Sequence, residues 1–459
     1  MGRHFDSIII GAGQAGPSLA GRLTQSGQNI AFIERSLFGG TCVNTGCIPT
    51  KTLVASAYAA HMARRAADFG VHIEGAIKID MKAVKARKES ILAKSRDGIE
   101  NWLRHMENCT VFHEQARFLS SYEVQAGSET ITAKQIFINV GGRAHVPKMP
   151  GIGQITYLTN TSILNLEELP EHLVVVGGSY IGLEFAQMFR RFGSEVTVVE
   201  MGSRLVQHED EDVSAAIKEI LEAEGIHLRL NAECIAFEAA DKGAYVHVSC
   251  DDGEPKVHGS HVLLAVGRIP NTDDLGLQAA GIVTDERGYI VVDDQLRTNV
   301  EGIWAMGDCN GRGGFTHTSY NDFEIVAANL LDNDPRRVSD RIHAHALYTD
   351  PPLGQVGMTE TQVRQSGKPA LIGTRPMTKV GRAVEKGETQ GFMKVLVDAE
   401  SKKILGASIL GTGGDEAIHC ILDVMYSGRP YTTIQRAMHI HPTVSELIPT
   451  VFGDLKPLV

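Results

Sequence analysis

The chain has 459 residues, 43% hydrophobic and 22% charged, which excludes wholesale disorder and predicts roughly two to four domains. Lys and Arg number 44 against 55 Asp and Glu, and the resulting formal charge of −11 argues against a broad nucleic-acid or anionic-membrane face. Seven cysteines are too few for a disulfide scaffold, no apolar run reaches the ~20 residues of a membrane span, and Met1 leads almost directly into strand-like sequence without room for a signal peptide, so the expectation is a cytoplasmic protein with reduced thiols.

The first element is a strand, Ser7 to Ile10, running into Gly11-Ala12-Gly13-Gln14-Ala15-Gly16 and then a helix carrying Leu19, Ala20 and Leu23. A second strand, Ile30 to Ile33, ends at Glu34, 23 residues after Gly11. This is a βαβ dinucleotide pattern: the glycines allow a tight turn and close backbone approach, the helix N-terminus faces a pyrophosphate, and the acid suits a ribose diol.

Next comes Gly39-Gly40-Thr41-Cys42-Val43-Asn44-Thr45-Gly46-Cys47-Ile48-Pro49-Thr50-Lys51. On an ideal helix two thiols five residues apart are separated by roughly 140°, so pairing them needs a distorted turn, which Gly46 and Pro49 permit. A free cysteine is more often a small buried hydrophobe, and zinc needs further ligands that no second local Cys/His pair supplies. The position of the pair favours redox chemistry over both, because a flavin ring should lie there if its pyrophosphate sits at Gly11 to Gly16. No metal site is expected.

A long helical region is predicted from Lys51 to Met106, then short strands near Thr110–Phe112 and Gln135–Ile138, and a crossing loop from Gly141 to Gly151. The dinucleotide pattern then recurs. Leu173 to Val176 lead into Gly177-Gly178-Ser179-Tyr180-Ile181-Gly182, a helix with Leu183, Phe185, Ala186 and Phe189 follows, and the strand Val196–Val199 ends at Glu200, again 23 residues after the first glycine. Ser179 stands where the middle glycine is expected. One glycine fingerprint is weak evidence, whereas two in full strand–turn–helix–strand context point to two nucleotide-binding domains. Alternating segments run to Leu263–Arg268, and Gly302 to Asp308 reads as a strand feeding a turn and helix. From about Ile342 the mixture of strands and helices reads as an α+β tail.

These motifs resemble the class I pyridine nucleotide-disulfide oxidoreductases, a family that includes glutathione reductase, lipoamide dehydrogenase, mercuric reductase and bacterial reactive-chlorine resistance flavoproteins. The Gly-Gly-Thr-Cys-x4-Cys-x-Pro-x-Lys block is the most specific of them, and the match runs in order along essentially the whole chain. The resemblance implies an α/β protein with two Rossmann-like dinucleotide-binding domains and a C-terminal α+β dimerisation domain. FAD would occupy residues 1–150 with 271–340, NAD(P) residues 151–270, and the homodimer interface residues 341–459. Gly11, Gly13 and Gly16 would hold the FAD pyrophosphate and Glu34 the ribose, with Gln115 and Ala116 beside the adenine. Gly40, Thr41, Lys51, Gly142, Gly307, Asp308 and Thr316 would complete that site. Gly177, Ser179, Tyr180, Ile181, Gly182, Glu200 and Gly267 would bind the nicotinamide nucleotide. The resemblance also implies that Cys42 is the interchange thiol and Cys47 the flavin-facing thiolate, that Lys51 pairs with Glu184 near the flavin, and that Tyr180 shields the flavin until nicotinamide enters.

Near the C-terminus, His441-Pro442-Thr443-Val444-Ser445-Glu446 places a carboxylate where a turn into a helix returns it to the imidazole, an arrangement that fixes a tautomer and raises basicity. By resemblance His441 and Glu446 serve the redox pair of the other subunit, while His439 is structural. The implied reaction passes a hydride from NAD(P)H through FAD to the Cys42–Cys47 couple and on to a small oxidised substrate. Glu200 repels a 2′-phosphate and no arginine cluster follows it, so NADH is expected over NADPH, Arg204 notwithstanding. Phe315 to Phe323 lean toward the reactive-chlorine branch. No extra C-terminal cysteine pair or N-terminal metal-binding segment is seen, which disfavours mercury reduction. The leading expectation is a reductase of a small disulfide or oxidised sulfur species. Lipoamide dehydrogenase, a mercuric reductase-like metal reductase and a non-catalytic redox-sensing flavoprotein are the alternatives. Cys109, Cys234, Cys250, Cys309 and Cys420 are expected to be structural.

Overall fold

The computed structural model describes residues 2–249 and 254–458. Three sheets organise it. The first is parallel and five-stranded, in the order Ile303–Ala305, Gln135–Ile138, Ser7–Ile10, Ile30–Ile33, Cys109–Phe112. Its central strands are apolar on both faces, and Ile8, Ile9, Phe32 and Phe137 are fully buried, as a sheet covered on both sides requires. The second is parallel and four-stranded, in the order His227–Arg229, Glu195–Val199, His172–Val176, His261–Leu264. The third is antiparallel and six-stranded, running from Ala344–Leu347 at one edge to Lys456–Pro457 at the other.

Both glycine fingerprints sit at the carboxyl end of a central parallel strand and open a helix, Ala15–Gln25 in one case and Tyr180–Phe192 in the other. Open parallel sheets bind ligands at that edge.

Two local expectations are corrected. The region Lys51–Met106 is not one helix: Cys47–Arg64 ends near a short turn, and Met81–Arg104 begins only after an extended stretch. Gly70 and Gly75 adopt positive φ there, and the Asp80 carboxylate accepts a hydrogen bond from the Ala83 N–H (3.0 Å) to start the second helix. The crossing loop Gly141–Gly151 is partly ordered as a strand, Gly142–Ala144, paired antiparallel with Arg268–Pro270, so the two nucleotide-type sheets are joined by a two-stranded ribbon. The segment after Phe112 also forms a meander, Ala116–Phe118, Glu123–Ala126 and Glu129–Thr132, whose short polar-faced strands carry little periodic signal.

Among the described residues, no helix is long and apolar enough to cross a membrane. Cys109, Cys309 and Cys420 are free thiols, pushed by burial up to about 12, 12 and 11 respectively, which makes them poor nucleophiles. Cys250 and the side chain of Cys234 lie outside the described residues.

Candidate active site

A continuous cavity of about 1580 Å³ is lined by the first fingerprint, the cysteine segment, Tyr180, Asp308 and Thr316. At one end the backbone turn leaves no room for side chains. A Cβ on Gly11 would lie 2.3 Å from the Asn139 carbonyl, one on Gly16 2.3 Å from the Gly11 carbonyl, and one on Gly40 2.8 Å from Gly13 Cα. The turn is held by Asn139, which the sequence reading missed: its Oδ1 accepts from the Gly16 N–H (3.1 Å) and its Nδ2 donates to the Met306 carbonyl (2.9 Å). A lone polar residue directly after the apolar run Ile136–Ile138 was the available signal. Glu34 accepts from the Ala12 and Ser36 N–H groups, both at 2.7 Å. Gln115 and Ala116 line the same end. This cradle, glycine-walled and open to a long cavity, fits a dinucleotide such as FAD.

The turn at Gly307 is anchored by Asp322, also unforeseen, which accepts from the Gly307 N–H (2.8 Å) and Asn310 Nδ2 (2.9 Å). Asp308 lines the cavity, and burial pushes its carboxyl up while Arg268, 3.6 Å away, opposes the shift. Gly142 and Gly307 lie behind the lining rather than on it.

The thiol centre, Cys42 and Cys47, lines the same cavity. A short helix, Gly40–Asn44, carries Cys42, and the helix Cys47–Arg64 starts at Cys47. Between them Gly46, at φ −134° and ψ −114°, breaks the helical path, the distortion that two thiols five residues apart require. A Cβ on Gly46 would lie 2.9 Å from the Thr41 carbonyl. Both thiols are free and interact with one another. Cys47 is pulled down to about 6, first by the hydrogen bond from Cys42, then against desolvation by Thr316 and the positive charge of Lys51. Its sulfur lies 3.0 Å from Thr316 Oγ1. Cys42 is pushed up by its bond to Cys47 and by burial. One thiol is therefore set to be an anion and the other its donor.

One turn after Cys47, Lys51 Nζ donates to both oxygens of the Glu184 carboxylate (2.9 and 2.7 Å), whose side chain is only 5% exposed. Glu184 also accepts from the Tyr348 N–H (3.0 Å), and Lys51 Nζ lies 4.5 Å from the centre of the Tyr348 ring. At the second fingerprint, Glu200 repeats the arrangement of Glu34, accepting from the Gly178 N–H (2.6 Å) and the Gly202 N–H (2.8 Å). Gln207 Nε2 reaches the same carboxylate at 3.2 Å. Ser179 precedes the helix, Tyr180 opens it, and Ser179, Tyr180, Ile181 and Gly267 face the cavity. Gly177, Gly182 and Glu200 shape the turn without lining it.

Residues 5–322 match the profile of the pyridine nucleotide-disulphide oxidoreductases, and residues 343–452 match the dimerisation domain of the same enzymes. The chain belongs to the pyridine nucleotide-disulphide oxidoreductase family. Within it, the chain is 37% identical to RclA of Escherichia coli strain K12, a probable pyridine nucleotide-disulfide oxidoreductase, over 98% of this chain and 99% of the relative. It is 33% identical to a dihydrolipoyl dehydrogenase of Chlamydia muridarum (97% and 96% covered) and 32% identical to a mercuric reductase of Streptomyces lividans (97% and 94%). Its fold superposes on a Cu(II) complex of the HOCl-induced flavoprotein disulfide reductase RclA of Escherichia coli with a TM-score of 0.90 at 35% identity, covering 99% of both chains. The protein is thus an FAD-dependent disulfide oxidoreductase of α/β architecture with a dimerisation domain.

In this family member, His441 and Glu446 find each other: His441 Nδ1 lies 3.0 and 2.9 Å from the two Glu446 oxygens. Neither lines the cavity of its own chain, and the His441 side chain is 80% exposed. His439 is half-buried and bonds only locally, to the Ala437 carbonyl (3.2 Å), among the contacts described. No group of metal-ligating side chains suited to an ion occurs among the described residues.

Proposed function

We propose that the protein uses NADH to reduce a small disulfide or oxidised sulfur species at Cys42, inside the cell. The observation that carries this reading is the Cys47 sulfur, depressed and hydrogen-bonded to Thr316, sharing one cavity with the first glycine turn, the Lys51–Glu184 pair and Tyr180. FAD, when bound, would supply two-electron transfer between the nicotinamide and the cysteine couple. Residues 1–150 and 271–340 would hold it, through Gly11, Gly13, Gly16, Glu34, Gly40, Thr41, Lys51, Gln115, Ala116, Gly142, Gly307, Asp308 and Thr316. Residues 151–270 would bind NADH, and residues 341–459 would form the dimer.

The chain's own groups divide the remaining work. Lys51 holds positive charge beside Cys47 and is itself fixed by Glu184. Glu200 presents a carboxylate that favours a free 2′-hydroxyl over a 2′-phosphate. Cys42 passes its proton to the partner subunit's His441 and, as the thiolate so formed, attacks the substrate sulfur, giving a mixed disulfide as the first product thiol leaves. Cys47 then attacks Cys42 Sγ, the second product thiol departs, and the Cys42–Cys47 disulfide is restored. The partner subunit's His441 supplies the leaving-group proton. Glu446 accepts from His441 Nδ1, which leaves Nε2 to take and give the proton. Steady-state turnover with NADH and NADPH against lipoamide, glutathione disulfide, hypothiocyanous acid and mercuric ion tests the reading. Thiol-dependent turnover lost in Cys42→Ser with FAD retained is the expected result. Equal turnover in that variant overturns it.

A further inference from the structure

We propose that Glu209 and His345 form a latch on Tyr180 that opposes entry of the reduced nicotinamide and so sets its affinity. This rests on reading Tyr180 as the ring the nicotinamide displaces. The Tyr180 hydroxyl donates to Glu209 Oε1 at 2.5 Å and lies 3.2 Å from His345 Nε2. His345 Nε2 is 2.6 Å from the same Glu209 oxygen, so three polar groups converge on one point. The Glu209 and His345 side chains are 1% and 6% exposed. Burial and the neighbouring carboxylate push the Tyr180 phenol up, which keeps it a hydrogen-bond donor.

The ring is gripped as well as its hydroxyl. Tyr180 packs edge-on against His345 (5.5 Å) and Phe315 (6.1 Å), while Phe315 stacks between His345 and His317. Glu209 Oε2 is buried without a hydrogen-bond partner, so the carboxylate relies on bonds made through its other oxygen. Losing the phenol leaves that buried charge worse solvated, which makes release of Tyr180 costly.

Both halves of the latch are anchored. His345 lies on the edge strand of the third sheet, Ala344–Leu347, and its Nδ1 faces His343 Nε2 at 3.2 Å. Glu209 lies on the segment after Glu200, and the next residue, Asp210, accepts from buried Lys394 (2.9 Å) and from the Glu360 N–H (2.9 Å). Gln207 on the same segment touches Glu200. The stretch that positions the ribose-side acid therefore also holds the aromatic ring, coupling two ends of one nucleotide site.

Rapid-mixing reduction of the holoenzyme by NADH, followed by flavin absorbance, separates nucleotide affinity from the limiting rate. Glu209→Gln keeps the shape but removes the charge, and is expected to tighten NADH binding by about tenfold with the limiting rate within about twofold. His345→Gln shifts affinity in the same direction. In a Tyr180→Phe background, Glu209→Gln has no further effect, because the latch acts through the hydroxyl. An unchanged NADH affinity in Tyr180→Ala refutes the displaced-ring reading and the latch with it. A shift in Tyr180→Ala with none in Glu209→Gln or His345→Gln refutes the latch alone, as does a Glu209→Gln effect of equal size in the wild-type and Tyr180→Phe backgrounds. If Glu209→Gln releases FAD, His345→Gln in the same two backgrounds decides.

Discussion

Thr316→Val removes one hydrogen bond from the Cys47 sulfur while keeping side-chain volume. The wild-type bond is 3.0 Å long, and Cys47 is held at about 6 against an ordinary 9.0, with the Cys42 hydrogen bond contributing most and Thr316 and Lys51 adding to it. A hydrogen bond to a charged group is worth about 1.5–3 kcal/mol, and each pKa unit is about 1.36 kcal/mol, so the midpoint should rise by roughly one to two units. At pH 7 the thiolate fraction would then fall from about nine-tenths to about half or less. The assay is a pH titration of the long-wavelength thiolate–flavin charge-transfer absorbance in anaerobic, NADH-reduced holoenzyme. The thiolate is the absorbing form, so the band is present above the midpoint and fades as pH falls through it. In wild type this occurs near 6, and in Thr316→Val at about 7 to 8. A midpoint that stays put, or moves down, refutes the assignment of Thr316 as a stabiliser of the anion.

Three further outcomes are expected. His441→Gln should lower disulfide turnover by about 10²–10⁴-fold while flavin reduction by NADH keeps its rate, and loss of both steps together would contradict the separation of the two half-reactions. Glu200→Gln keeps an acceptor for only one of the Gly178 and Gly202 N–H groups and removes the charge, so the ratio of kcat/KM for NADH over NADPH should fall about tenfold; an unchanged ratio would place nucleotide choice elsewhere. Asn139→Ala unties the first glycine turn from the Met306 carbonyl and should release FAD on dilution, read as growth of free-flavin fluorescence, whereas full retention would show that the turn holds itself.

Local chemistry was legible along the chain because it depends on neighbours in sequence. Gly11, Gly13, Gly16 and Glu34 sit within one strand–turn–helix–strand unit, as do their counterparts around Gly177 and Glu200. Cys42 and Cys47 are separated by a single broken turn, and His441 and Glu446 by five residues that bend back on themselves. Backbone sterics and short-range hydrogen bonds decide such units, so residue type and spacing suffice.

What only the tertiary structure decided are the contacts between units. Asn139 ties the glycine turn to Met306, 167 residues away, and Thr316 meets Cys47 across 269 residues. Glu209 meets His345 and Lys394 meets Asp210 across separate sheets. No periodicity or motif encodes these, because each is a single polar side chain whose partner is chosen by how whole sheets pack. The break between the helices Cys47–Arg64 and Met81–Arg104 and the ribbon of Gly142–Ala144 on Arg268–Pro270 belong to the same class: an amphipathic stretch looks alike until its neighbours determine where it bends.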